Sequence, residues 1–287
     1  MARALCGTID TGDEEAVIPM SKRDDEIRRQ EHERDLQRLR GLRPIDDDFM
    51  RQLFRDNRPL AELALRIITG KYDLTLTEEH TQKDYKRLVG ARSLCLDVYA
   101  RDSEGRVYDL EIQRADNGAR PHRARYHSSA MDIENLDAGQ DFEDLPITYT
   151  IFITENDIFG QDIPIYAIER MNMQTGQPFD DGEHILYVNG AFRDDSDIGR
   201  LMHDFGCSDP DDMYFQPLAD RARYYKETPE GVSAMCKAMD DLRKETRIEA
   251  YTTAIKNIME MFHVDADKAM DTMKIPMSER AVYTARL

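Results

Sequence analysis

The sequence predicts an α/β protein built on one mixed sheet, and three observations lead there. Leu94 to Gln113 alternates apolar and polar residues on two arms around Glu104-Gly105, the pattern of a β-hairpin. Ile147 to Thr154 (ITYTIFIT) is a short, almost unbroken apolar run, as expected of a buried central strand. Around these lie stretches with apolar residues at helical spacing, so strands and helices alternate along the chain.

The elements follow in order. Residues 1–43 read as a charged N-terminal extension. Within it, Ser21 to Arg40 is nearly all charged and predicts an exposed or partly disordered helix held by i,i+4 ion pairs. Pro44 marks the next boundary. Asp46 to Thr69 reads as helix, with Pro59 breaking or kinking it and Gly70 as its stop. Tyr72 to Leu76 is a short strand candidate, and the hairpin follows. Asn117-Gly118 ends its second arm, and Pro121 opens a helix to about Ala138 with Tyr126, Ala130, Ile133 and Leu136 inward. After the buried strand, Ile163 to Ile168 and His184 to Val188 are further strand candidates. Helices then run over Asp197 to Phe205 and Asp211 to Lys226. From Pro229 the pattern is helical to the end, giving an organisation of 1–43 extension, 44–228 main domain and 229–287 C-terminal helical region.

Composition narrows the function classes. A hydrophobic fraction of 40% supports a folded core, while 33% charged residues and a mean hydropathy of -0.67 give a very polar surface. No stretch approaches the roughly 20 apolar residues of a membrane helix, and the N-terminus lacks the apolar core of a secretory signal. Cys6, Cys95, Cys207 and Cys236 form no CxxC pair, so they read as reduced thiols of a cytoplasmic protein. A net charge of -18 opposes nucleic-acid binding, because affinity for phosphate comes from Lys and Arg. The run from Arg114 to His127 offsets this locally, with Arg114, Arg120, Arg123 and Arg125 against the single acid Asp116. It reads equally well as a solvated helix start.

The hairpin carries the chemistry. Alternation puts Cys95, Asp97 and Tyr99 on one face of the first arm, and Val107, Asp109, Glu111 and Gln113 on one face of the second. A three-residue loop, Ser103 to Gly105, with Gly left-handed, closes it. Counting back from that loop sets Asp97 across from Glu111. Cross-strand partners have Cβ atoms about 5 Å apart, where like charges repel. A divalent cation between them removes the conflict, so the pair is a candidate magnesium site. Rival constellations are weaker. The histidines lack zinc-site spacing and read as ordinary helix or surface residues. Asp46-Asp47-Asp48 and Asp209-Pro210-Asp211-Asp212 read as helix caps and turns.

The Asp on one arm and Glu-x-Gln on the next resemble the motif of the PD-(D/E)XK nuclease superfamily. The phrases LDVYARDSEGRVYDLEIQ, RARYHSSAMD, LPITYTIFIT and ENDIFG narrow the match. So do HDFGCSDPDDMYFQPLADRARYYKE and GVSAMCKAMDDLR downstream. Together they resemble the PD-(D/E)XK nuclease family transposases, also called recombination-promoting nucleases (Rpn), over roughly Pro44 to Arg243.

The resemblance implies a restriction-endonuclease-like mixed sheet flanked by helices, with a C-terminal helical extension. It implies a metal-dependent DNA endonuclease using Mg²⁺ or Mn²⁺. Asp97, Glu111 and the Ile112 backbone carbonyl fall at the metal positions, and Gln113 stands where the superfamily most often has Lys. Gln brings hydrogen bonds but no charge; Arg123 or Arg125, one of which faces the cleft, is expected to supply it. An acid on the first helix often supports the metal, and Glu62 is the candidate, with Asp56 behind it. A homodimer would suit cutting of both strands. The alternative is a nuclease-fold protein that has lost turnover and binds DNA or protein.

Overall fold

Pro59 and the residues before it divide the helix expected over Asp46 to Thr69 in two. The computed structural model describes residues 22–85, 94–114 and 119–287. In it α2 (Asp47–Phe54) and α3 (Arg58–Thr69) are separated by a turn in which Asp56 is left-handed (φ 52°). Pro59 sits in the first turn of α3, where its missing N–H costs nothing, and Gly70 (φ 68°) ends that helix as expected. The other helices are α1 (Lys22–Gly41), α4 (Pro121–Asn135), α5 (Asp197–Gly206), α6 (Gln216–Glu227), α7 (Pro229–Phe262), α8 (Ala266–Thr272) and α9 (Met277–Thr284). The span expected as one helix from Asp211 begins instead with a short 3-10 turn, Pro210–Asp212. Buried Asp204 accepts the backbone N–H groups of Tyr214 (2.9 Å) and Phe215 (2.8 Å), which holds the link to α6 non-helical.

The strands are β1 (Leu76–Tyr85), β2 (Leu94–Asp102), β3 (Val107–Gln113), β4 (Thr148–Thr154), β5 (Ile165–Ile168), β6 (Met171–Asn172), β7 (Gln177–Pro178) and β8 (Glu183–Asn189). Six form one mixed sheet in the order β1-β2-β3-β4-β8-β5. β3, β4 and β8 run parallel; β1, β2 and β5 join antiparallel. β6 and β7 make a separate small hairpin. As its apolar run predicts, β4 is buried along its whole length at the centre. The strand expected at Tyr72 to Leu76 is a turn, with Leu74 N–H bonded to Lys71 C=O at 3.1 Å, and β1 begins at Leu76 instead. β1 lies at an edge and reads LTEEHTQKDY. Its charged residues blunt that edge against pairing with other chains, and they erase the apolar alternation that signals a strand.

The β2–β3 turn sets the register on which the site depends. Gly105 is left-handed (φ 81°), and Asp102 N–H bonds to Arg106 C=O at 3.0 Å. The Asp102 carboxylate is buried at the turn. It accepts from the N–H groups of Glu104 and Arg106, from Arg106 Nε (2.6 Å) and from the Tyr108 hydroxyl (2.8 Å). Val98 then pairs with Leu110 and Tyr99 with Asp109; the ladder ends there, and beyond it the Asp97 N–H donates to the Glu111 carboxylate instead.

The sheet divides two layers. Val98, Ala100, Tyr108, Leu110, Ile112, Ile151, Ile153 and Val188 pack against α2, α3, α5, α6 and the start of α7 in the main core. Leu39 and Leu42, from α1 and the residue just after it, and Met235 and Met239 from α7 complete that core. α4 covers the other face, where Ala124 packs with Phe152 and Tyr187, and Met131 with Tyr99 and Val107. The far end of α7 folds with α8 and α9 around Ile255, Met270, Ile275 and Tyr283, a second small core. Among the described residues no helix is long and apolar enough to cross a membrane.

Candidate active site

The polar face of the hairpin and the inner face of α4 meet at one cluster of charge. Glu111 and Asp109 on β3 are fully buried, and Asp97 on β2 is partly so. Instead of ordinary ladder bonds, the two opposed acids each grip the partner strand's backbone. The Asp97 N–H donates to Glu111 Oε1 (3.0 Å), and the Ile112 N–H donates to Asp97 Oδ2 (3.2 Å). The carboxylates therefore sit between the strands, held by main-chain donors rather than by solvent.

α4 supplies the counter-charge. Arg123 Nη2 donates to Glu111 Oε2 at 2.7 Å, its Nη1 to Gln113 Oε1 at 3.3 Å and its Nε to His127 Nε2 at 3.1 Å. His127 Nδ1 lies 2.8 Å from Asp109 Oδ2. Because Nε2 accepts from Arg123, the proton of a neutral imidazole belongs on Nδ1, donated to Asp109. Phe152 closes the cluster from β4, its ring 5.6 Å from the His127 ring.

Three carboxyl groups thus meet two guanidinium groups, Arg123 paired with Glu111 and Arg51 of α2 acting on Asp97 through space. Burial, with Asp109 and Asp97 nearby, pushes Glu111 up to about 8. Burial, reinforced by Asp97, raises Asp109 well above the ordinary carboxyl range, and burial raises Asp97. Burial also lowers His127, which agrees with the neutral tautomer. Asp109 Oδ1 is buried with no hydrogen-bond partner. Such a cluster is short of positive charge, a condition a cation relieves.

Two ligand sets share Glu111. Asp109, Glu111 and His127 offer donor atoms within 4.8 Å of one another, close enough to hold a metal ion. Asp97, less buried, lies beside Glu111 through its backbone N–H, and a set drawn from these two carboxylates would be all oxygen, which suits a hard cation that keeps its waters. Using His127 Nδ1 as a ligand requires moving its proton to Nε2 and breaking the bond from Arg123. The Asp97–Glu111 side requires that Arg123 yield and that both carboxyls ionise.

The sequence-derived candidates divide accordingly. Asp97, Glu111, Gln113 and Arg123 come together. Arg125 is exposed on the far side of α4. Glu62 is not brought to the cluster. Its carboxylate accepts from Arg66 (3.0 Å) and from the Leu76 N–H (2.8 Å), tying α3 to the start of β1, and Asp56 is exposed in the turn after α2. Asp47 and Arg51 of α2 are the first-layer charges that act on Asp97 instead. His127 was expected to be an ordinary histidine and is buried at the centre. The inward stripe of α4 is Ala124, His127, Ser128, Ala130 and Met131, while Ile133 is exposed, because α4 packs on a partly polar face rather than an apolar one. The i,i+4 spacing of Arg123 and His127 was the available signal. Nor is the basic run a free cationic strip. Arg114 pairs with Asp46 (3.1 Å) and Glu155 (3.5 Å), both also bound by Arg43. Asp116 and the Asn117-Gly118 turn lie outside the described residues.

Residues 66–190, which reach from α3 to just past β8 and include every member of the cluster, match the family model of the PD-(D/E)XK nuclease family transposases. Neither a curated protein nor a solved structure matches the chain significantly.

Proposed function

From the match of residues 66–190 to the PD-(D/E)XK nuclease family transposases, we propose that the chain is a metal-dependent endonuclease that hydrolyses phosphodiester bonds in DNA. The observation that carries this reading is the interlocked pair: Asp97 and Glu111 each bound to the other's strand (3.0 and 3.2 Å), in a cluster with more carboxyls than cations. A pair kept only for folding would be expected to lose one of its charges.

Asp97 and Glu111 would hold Mg²⁺ or Mn²⁺ through carboxylate oxygens, with the Ile112 carbonyl completing the protein ligands. When bound, the ion supplies Lewis acidity toward a phosphate oxygen and toward the attacking water. Gln113 orients that water through its side-chain amide. Arg123 contacts both Gln113 and Glu111. It would supply toward the phosphate the positive charge that Gln113 lacks. Asp109 and His127 position Arg123 from behind.

Plasmid nicking with Mg²⁺ tests the reading, comparing the parent with Asp97→Ala and Glu111→Ala. We expect nicking by the parent and a loss of about a hundredfold or more in each variant. Equal background in all three would remove the enzyme and leave a nuclease-fold binding module.

A further inference from the structure

A second feature adjoins the Asp97 side of the cluster. α2, β1 and α7 enclose a cleft of about 370 Å³ lined by Asp48, Arg51, Gln52, Arg55, Gln82 and four residues of α7. Gln82 marks its contact with the hairpin. Thr81 pairs with Val98 and Lys83 with Leu96, so Gln82 and Asp97 lie side by side between those pairs. There the Gln82 backbone is left-handed (φ 60°) in mid-strand, a conformation costly for a residue other than glycine and found where a site constrains the chain.

The charges of the cleft are not balanced alike. Each of its acids already has a basic partner: Asp48 with Arg38 (2.8 Å), Asp241 with Lys244 (3.7 Å) and Glu245 with Arg286 (2.5 Å). Its two arginines have none. Among the described residues no carboxylate lies within ion-pair distance of Arg51 or Arg55, and Arg51 Nε is buried without a hydrogen-bond partner. Asp47, one turn before Arg51, and Asp97 of the cluster act on it only through space, and Asp48 is taken by Arg38. A desolvated guanidinium donor without an acceptor is a stored cost, relieved by a planar or tetrahedral oxyanion.

We propose that Arg51 and Arg55 form a phosphate subsite, which receives a phosphodiester of the nucleic-acid strand beside the bond held at Asp97 and Glu111. The inference rests on the nuclease reading and adds where the substrate is gripped. Gln82 shapes the floor between the two places. The volume lies at the low end of the about 300–1,000 Å³ of small-ligand sites, so one phosphate and part of its nucleoside fit, and a duplex does not. The subsite also explains how a chain of net charge -18 holds a polyanion: through a few unpaired cations in a cleft rather than a basic surface.

Fluorescence anisotropy with a short labelled single-stranded oligonucleotide tests this, in an Asp97→Ala background without divalent metal so that nothing is cut. Arg51→Gln and Arg55→Ala should each weaken binding about tenfold and lower the slope of log affinity against log salt by about one. Lys274→Ala removes a charge among the C-terminal helices and should do neither. Arg55 is exposed at a helix end, so its variant carries the test if thermal melting shows that Arg51→Gln is unfolded. Unchanged affinity and slope in the arginine variants, or equal losses in the Lys274 control, overturn the subsite alone. Absence of any binding by the folded background protein at low salt overturns the nucleic-acid reading and the subsite together.

Discussion

At the scale of residues, the site is a problem of charge solved with few groups. Arg123 touches Glu111, Gln113 and His127 at once, and His127 donates its Nδ1–H to Asp109. The remaining negative charge is met by retaining protons, which ties stability to pH. Glu111 ordinarily titrates near 4.5 and in the fold near 8. Between those values the native state binds the proton and the unfolded chain does not, so this contribution is present at low pH and is lost as pH rises through about 8. The depressed His127 acts in the opposite sense, over a window below its ordinary value. Without metal, the melting temperature of Glu111→Gln should therefore gain on that of the parent as pH rises from the ordinary carboxylate range to about 8. A constant difference across that range would show that Glu111 is ionised throughout. The nearness of Asp97 and Glu111 follows from the Gly105 turn, but the alternation behind that expectation breaks at Leu96, which packs with Tyr99 and Met131 rather than with Val98 and Ala100. His127 was not legible in the sequence, because the large apolar residues of α4 suggested the wrong inward face, and burial against a charged strand leaves no hydrophobic trace.

At the scale of elements, the site depends on where β2, β3 and α4 are held, and those positions come from the layer behind. β4 runs between β3 and β8 with every residue buried, so its unbroken apolar run could be read directly. β1 could not, since an edge strand of charged residues carries no period-two signal. The division of α2 from α3 was half legible: Pro59 announced a break, but only the left-handed Asp56 decides that two helices form rather than one bent helix. The α6–α7 junction shows how closely the supporting layer is packed. Gly231 in the first turn of α7 lies against the Tyr224 carbonyl, and a Cβ there would overlap it. Thr228 caps α7 by accepting the Gly231 N–H at 3.1 Å, so the turn has little room to shift. Gly231→Ala should destabilise the fold by about 1–3 kcal/mol, read as a lower urea midpoint at unchanged slope. An unchanged midpoint would mean that the two helices separate freely.

At the scale of the whole molecule, an acidic chain keeps its cations for particular tasks. Arg43 and Arg114 join α2 to the strand ends through Asp46 and Glu155, and Arg243 ties α7 back to α1 through Asp35 (2.6 and 2.9 Å). Arg123 is placed in the cluster, and Arg51 and Arg55 in the adjoining cleft. Among the described residues, the sheet gathers Asp97, Asp109 and Glu111 in an excess of carboxyls over nearby cations at the junction of β2, β3 and α4. The most direct test is calorimetric titration of Mn²⁺ into the metal-free protein near neutral pH, beside Asp97→Asn and Glu111→Gln, with melting curves to show that all three are folded. The account predicts one ion bound by the parent, lost in both variants, with protons released on binding because the carboxyls must ionise to take it. Binding that survives Asp97→Asn but not Glu111→Gln would assign the ion to Asp109, Glu111 and His127, and binding unchanged in both variants would contradict the central claim.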